Sequence, residues 1–171
     1  MSFLTHIFGP RRDDCAPVRV LWRRIVELAR DPRLYARCGV ADTVPGRFDA
    51  VVLVLALVLL RMEREEALMP ASALLTELFV DDMDGQLRQS GVGDLVVGKH
   101  IGRLMGVLGG RLGVLRTALP GGLDALTPVI ARNLSLVAGA GPDEAARLAL
   151  ALAETLATSS GDDLLGGRIG L

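Results

Sequence analysis

Lysine is almost missing from this chain. Lys99 is the only one, and arginine supplies nearly all of the positive charge. The formal net charge is −1, so no overall field draws the chain to nucleic acid, and specific nucleic-acid binding is not expected. Aromatic residues make up 4% of the sequence, so a core must be built from Leu, Val and Ala. Cysteine is scarce as well. Cys15 and Cys38 do not make a disulfide framework, and a chain of 171 residues that is 50% hydrophobic does not need one. A reducing compartment is expected, with a single Cys15–Cys38 bridge left open. The two histidines, His6 and His100, stand far apart, and the cysteines lack ligand spacing, so no metal or cofactor is expected. Long apolar runs are absent too. The greasiest stretch, Ala50 to Leu60, is far short of the ~20 residues a membrane-spanning helix needs. It reads as the all-round buried helix of a bundle. The start M-S-F-L-T-H-I-F-G-P-R-R has its charge after its apolar residues, the reverse of a secretory leader.

What is present is helical punctuation. Asp31-Pro32 places a cap before a proline at the first helical position, and Thr43 and Pro45 repeat the device. Gly141-Pro142-Asp143-Glu144 opens a later segment with acids in its first turn. Between these signals the apolar spacing is near 3.6. Leu21, Ile25, Leu28 and Ala29 share a face, as do Leu74, Leu78 and Phe79. Val97, Ile101, Leu104, Leu108, Leu112 and Leu115 form another, followed by Leu126, Ile130, Leu134 and Val137, and by Leu148, Leu152 and Leu156. Valines 51, 52 and 54 are compatible with a buried strand, but no alternating strand–helix pattern surrounds them. The expectation is an all-α, single-domain bundle of about six or seven helices, with residues 17–158 as the folded domain, 1–16 flexible and 159–171 a tail.

Charge is segregated along the chain. Nine arginines face five acids from Met1 to Arg47, eight acids face two arginines from Glu63 to Asp94, and no acid falls between Leu95 and Leu123. Pairing of acidic and basic helices within the fold accounts for this, and contact with a charged partner is the alternative.

The stretch Asp84–Arg111 resembles a nucleotide site at first sight. Gly93 to Lys99 fits G-x-x-x-x-G-K, but His100 stands where a magnesium-binding hydroxyl belongs, and no strand is expected before it. Instead, glycines recur at Gly98, Gly102, Gly106 and Gly110, with Gly109 and Gly113 beside them. In a helix interior each costs about 1 kcal/mol relative to alanine. The result is a helix with an apolar face and a smooth neighbouring face edged by Lys99 and Arg103. Small residues let another helix approach closely. The approaching helix is either one of the same domain or an external one. The acidic run Asp81-Asp82-Met83-Asp84 reads as a solvated helix end, and no nucleophile is placed beside a histidine, so the residues supply little for catalysis. In D-T-V-P-G-R-F, Asp42 or Thr43 caps the buried helix, while Arg47 at a helix start is electrostatically awkward and calls for an acid. Asp84 and Asp94 are the candidates.

Several pieces in order carry a resemblance. They are L-Y-A-R-C-G-V-A-D-T-V-P-G-R-F-D (Leu34–Asp49), F-V-D-D-M-D-G-Q-L-R-Q-S-G-V-G-D-L-V-V-G-K (Phe79–Lys99), G-R-L (Gly110–Leu112) and A-R-N-L (Ala131–Leu134). Together they resemble the ubiquinol–cytochrome c chaperone family over roughly Leu34 to Leu134. The resemblance implies a non-enzymatic, all-α assembly factor that binds newly made cytochrome b during biogenesis of complex III. It implies the cytoplasm as location, with the ribosome or the membrane surface as further partners. The apolar start Phe3, Leu4, Ile7 and Phe8 with Arg11 and Arg12 reads either as a peripheral contact at the inner membrane or as a short frayed terminus. The positions carried over as client- or partner-binding are Tyr35, Asp42, Thr43, Gly46, Arg47, Phe48, Asp84, Arg88, Gly91, Gly93, Asp94, Gly98, Lys99, Gly110 and Arg111. Arg103 joins them from the smooth face. Arg47, Arg88, Lys99 and Arg111 are expected to bridge Asp84 and Asp94 or to touch the client. The glycines at 102, 106 and 109 depart from the family's habit. The alternative from another class is a helical protein that binds quinone or lipid among its Leu and Val side chains.

Overall fold

The computed structural model describes residues 15–89 and 97–170, with backbone alone at 86–89 and 97–100. Its helices are α1 (Arg19–Ala29), α2 (Pro32–Ala36), α3 (Val44–Met62), α4 (Met69–Gln89), α5 (Val97–Ala118), α6 (Gly122–Asn133), α7 (Asp143–Thr158) and α8 (Gly161–Leu165). Six of these have 11 or more residues, and α2 and α8 have 5 each. Among the described residues there is no strand, only an isolated antiparallel bridge between Val40 and Leu136. The fold is an all-α helical domain.

The centre is α3. Every residue from Val52 to Leu60 is buried, which a helix tolerates only when neighbours cover it on all sides. Helices α1, α4, α5 and α7 provide that cover. The valines read ambiguously in sequence therefore belong to a helix. It begins where Thr43 accepts the Gly46 amide at 3.3 Å, with Pro45 in the first turn. Its other end is tied to α7, since Arg61 donates to the Leu156 carbonyl at 3.1 Å and the Ser159 carbonyl at 2.8 Å. Those are carbonyls that a helix end leaves without an intrahelical donor. Arg116 on α5 pairs with Glu63 at 2.9 Å, so the basic and acidic stretches do meet inside the fold.

Helix α1 buries Leu21, Ile25, Leu28 and Ala29 as its spacing predicts. Trp22 meets Phe79 of α4 edge to face, with centroids 6.0 Å apart, so two of the few aromatics lock one helix pair. The segment 159–171, read as a tail, carries α8 with a Ser160 cap, and Leu164 and Ile169 are buried against the core. Cys15 and Cys38 are not joined in a disulfide, and the Cys15 thiol donates to the Leu74 carbonyl at 3.7 Å. Burial pushes the Cys38 thiol up, and the nearby Glu144 adds to the shift. Val137, expected on an apolar face, is exposed instead, because α6 ends at Asn133 and the chain turns away.

Candidate functional site

The D-T-V-P-G-R-F piece forms the turn into α3. Arg47 pairs with Asp42 at 2.6 Å and not with Asp84, while Asp94 lies outside the described residues. The reason is local: Asp42 precedes the cap, five residues upstream, and its side chain folds over the first turn. The contact holds the Asp42 carboxyl below the usual carboxylate range. Both side chains are largely exposed, so the pair answers the awkward arginine without anchoring anything. Gly46 is buried with its Cα against the Ala41 carbonyl, where a Cβ would collide with backbone. Phe48 packs partly on the core. The Tyr35 hydroxyl donates to the Ala29 carbonyl at 2.8 Å, which closes the turn between α1 and α2. Burial raises the Tyr35 hydroxyl above its ordinary value.

Arg111 is the buried charge of the described residues, with 6% exposure. It does not bridge Asp84. One guanidinium nitrogen donates to the Asp49 carbonyl at 2.9 Å and another to the Asp49 carboxylate at 3.1 Å. The second carboxylate oxygen accepts from the Ser135 hydroxyl at 2.7 Å and the Ser135 amide at 3.0 Å. Asp49 thus joins α3, α5 and the turn after α6. Only the Arg111 Nε lacks a hydrogen-bond partner there. Neither Asp49 nor Ser135 was singled out from sequence. A carboxylate on the edge of an eleven-residue apolar run was the available signal.

Arg111 also reorients α5. The apolar spacing placed Ile101 and Leu112 on the core face. In the structure Leu104, Leu108, Arg111, Leu115 and Ala118 point inward, and Ile101 and Leu112 are half-buried at the margin. The outer face is then the glycine face. Gly102, Gly106, Gly109, Gly110 and Gly113 fall within an arc of about 100° and along about 16 Å of axis. A Cβ added to any of them would meet no described atom within 4 Å. No neighbouring helix of the described chain packs there. Met105 and Val114 are exposed at 42% and 40% on opposite margins, with Arg103 and Arg116 beside them.

Asp84 lies half-buried on α4. Arg88, Gly98 and Lys99 are helical, but their side chains lie outside the described residues. Gly91, Gly93 and Asp94 lie outside them altogether, as do the N-terminal Phe3 to Arg12. The residues before the G-x-x-x-x-G-K stretch are helical to Gln89, where a phosphate loop would have a strand. Among the described residues no cluster of metal-binding side chains occurs, and no helix is long and apolar enough to cross a membrane.

The site defines a class: an all-α helical domain in which a buried ion pair fixes α5 and no described residue covers the outer α5 face. The family model for the ubiquinol-cytochrome C chaperone matches residues 36–169, and the chain belongs to that family. It is thereby a member of a family of complex III assembly chaperones. Among solved structures it is similar to the crystal structure of the Cbp3 homolog from Brucella abortus, with 30% identity and a TM-score of 0.78 over 92% of this chain and 90% of that one. No curated protein matches the chain.

Proposed function

We propose that this protein captures the newly made cytochrome b subunit of complex III at the membrane face and holds it for assembly, without catalysing a reaction. In this reading the outer face of α5 receives a client helix. The observation that carries it is the row of five glycines with no described neighbour against them, on a helix of a family chaperone. Left uncovered, such a row weakens its helix by about 1 kcal/mol per residue with no return from packing. Against a membrane-protein helix it permits close backbone approach, the contact that transmembrane helices use among themselves. Met105 and Val114 add apolar margins, and Arg103 fits a client's acidic or headgroup-level end.

The experiment is affinity purification of the tagged chain from solubilised membranes, with cytochrome b identified by mass spectrometry. Gly106→Leu and Gly109→Leu fill the strip from positions where an added Cβ meets no described neighbour within 4 Å. Each is expected to leave folding intact and to cut recovery of cytochrome b about tenfold. Deleting the gene is expected to abolish assembled complex III while the cytochrome b transcript persists. Normal complex III in the deletion strain sinks the proposal.

The quinone or lipid reading finds less support. The apolar gap lined by Leu34, Leu57, Ala145 and Leu152 encloses about 10 Å³, whereas a small-molecule pocket needs roughly 300 Å³ or more.

A further inference from the structure

Beyond the α5 face, one end of the bundle combines exposed apolar residues with unpaired cations. The turn into α3 and the turn after α6 are stitched together there. The Ala41 amide donates to the Ser135 carbonyl and the Val137 amide to the Gly39 carbonyl, each at 2.8 Å. This pairing places two exposed valines at the same end. Val44 is 83% exposed and is followed by exposed Pro45, and Val137 is 48% exposed. Val44 is the most exposed large apolar residue described, and it occupies the first position of a helix, where an acid would suit the local dipole better.

The charges around it are uneven. Asp31 is taken by Arg33, Asp42 by Arg47, Asp49 by Arg111 and Glu144 by Arg147. Asp143 lies at this end without an ion-pair partner among the described residues. Arg30, at the end of α1, and Arg37, at the end of α2, are exposed and have no carboxylate partner among them either. Arg132 adds a third cation, whose Nε donates to the Pro128 carbonyl at 3.0 Å. The remaining charge is positive, around an apolar tip, in a chain whose net charge is −1. Apolar residues at the centre and arginine at the rim fit the boundary between acyl chains and anionic headgroups.

We infer that this end of the bundle rests on an anionic lipid surface, with Val44 and Pro45 entering the headgroup layer and Arg30 and Arg37 meeting lipid phosphates. The inference extends the proposed function to a second partner and uses residues away from the α5 glycines. A chaperone seated this way has α5 free to receive a helix.

The test is sedimentation of the full chain with vesicles of phosphatidylcholine, with and without phosphatidylglycerol, at low and high salt. Binding is expected only with phosphatidylglycerol, and to weaken steeply with salt. Val44→Asp suits a helix start, so the fold is preserved, and it is expected to reduce the partition coefficient roughly tenfold. Arg30→Gln and Arg37→Gln are each expected to reduce it about fivefold. Arg64→Gln, beyond the far end of α3, is expected to change nothing. Circular dichroism checks that each variant is folded. Absence of binding to phosphatidylglycerol vesicles overturns the inference. So does binding that survives Val44→Asp, whether it is lost on removing residues 1–14 or not. If Val44→Asp lowers cytochrome b capture and leaves vesicle binding unchanged, the patch is a protein contact and the lipid inference fails while the proposed function stands.

Discussion

Gly46 and Gly109 are the same residue used for opposite reasons. Gly46 sits in a crowded turn, where a methyl group would strike the Ala41 carbonyl, and the backbone comes this close only because no side chain is present. At Gly109 and its companions on α5 an added methyl group would meet no described neighbour within 4 Å. The contrast extends to α5 as a whole. Its inner face holds a buried arginine in a network with Asp49 and Ser135. Its outer face has no neighbour among the described residues. A residue that folding demands is crowded. A residue that the described fold merely tolerates, at a cost to helix stability, supports the proposed client contact.

Substitutions at the two kinds of position separate these roles. The largest effect is expected on the inner face. Arg111→Met leaves the Asp49 carboxylate with only Ser135, and breaking a buried pair in this way costs about 3 kcal/mol in chemical denaturation. If Asp49→Asn combined with Arg111→Met restores much of that loss, the cost lay in the unpaired charge. Gly46→Ala comes next. Overpacking against backbone is expected to cost about 2 kcal/mol, read as a lower denaturation midpoint at an unchanged slope. On the outer face the sign reverses. Gly102→Ala, Gly106→Ala and Gly109→Ala together are expected to stabilise by about 2 kcal/mol, which raises Tm by several degrees in a domain of this size. If the triple variant is destabilised, the outer face is packed in solution and the contrast collapses.

The smallest effect belongs to an exposed pair, the surface counterpart of Arg111 and Asp49. Asp31 caps α2 through the Arg33 amide at 2.8 Å, and the Arg33 guanidinium beside it lowers its carboxyl to about 2. Because the folded value lies below the unfolded one, the stabilisation is complete above pH about 4 and fades as pH falls toward 2. Asn keeps the cap but not the charge. Asp31→Asn is therefore expected to cost under about 1 kcal/mol at neutral pH, and the difference from the parent protein is expected to vanish below pH about 2.

Much of the fold was legible from local signals. Thr43-Val44-Pro45 and Asp31-Pro32 announce helix starts by themselves, since capping involves residues only two or three apart. The run from Ala50 to Leu60 announces a buried helix, because only full cover makes such a run stable. The C-terminal segment was less legible. Leu164 and Ile169 are single apolar residues among Gly and Asp, with no period to show that they reach the core. The candidate site was legible in part. The row of glycines could be read as a smooth face, but its direction could not.

The amino-acid sequence alone determined the helical class, the starts of α2 and α3, the central place of α3 and the glycine row. All of these rest on neighbours within a turn or two, or on composition. Only the tertiary structure decided which way the row faces. That depends on Arg111 turning inward to meet Asp49, 62 residues away, and on the Ser135 turn arriving to complete the carboxylate's hydrogen bonds. It also decided that Val44 and Val137 share one end, since the pairing of two distant turns brings them there. Long-range partners are set by how the helices stack around α3, and no spacing along the chain records that.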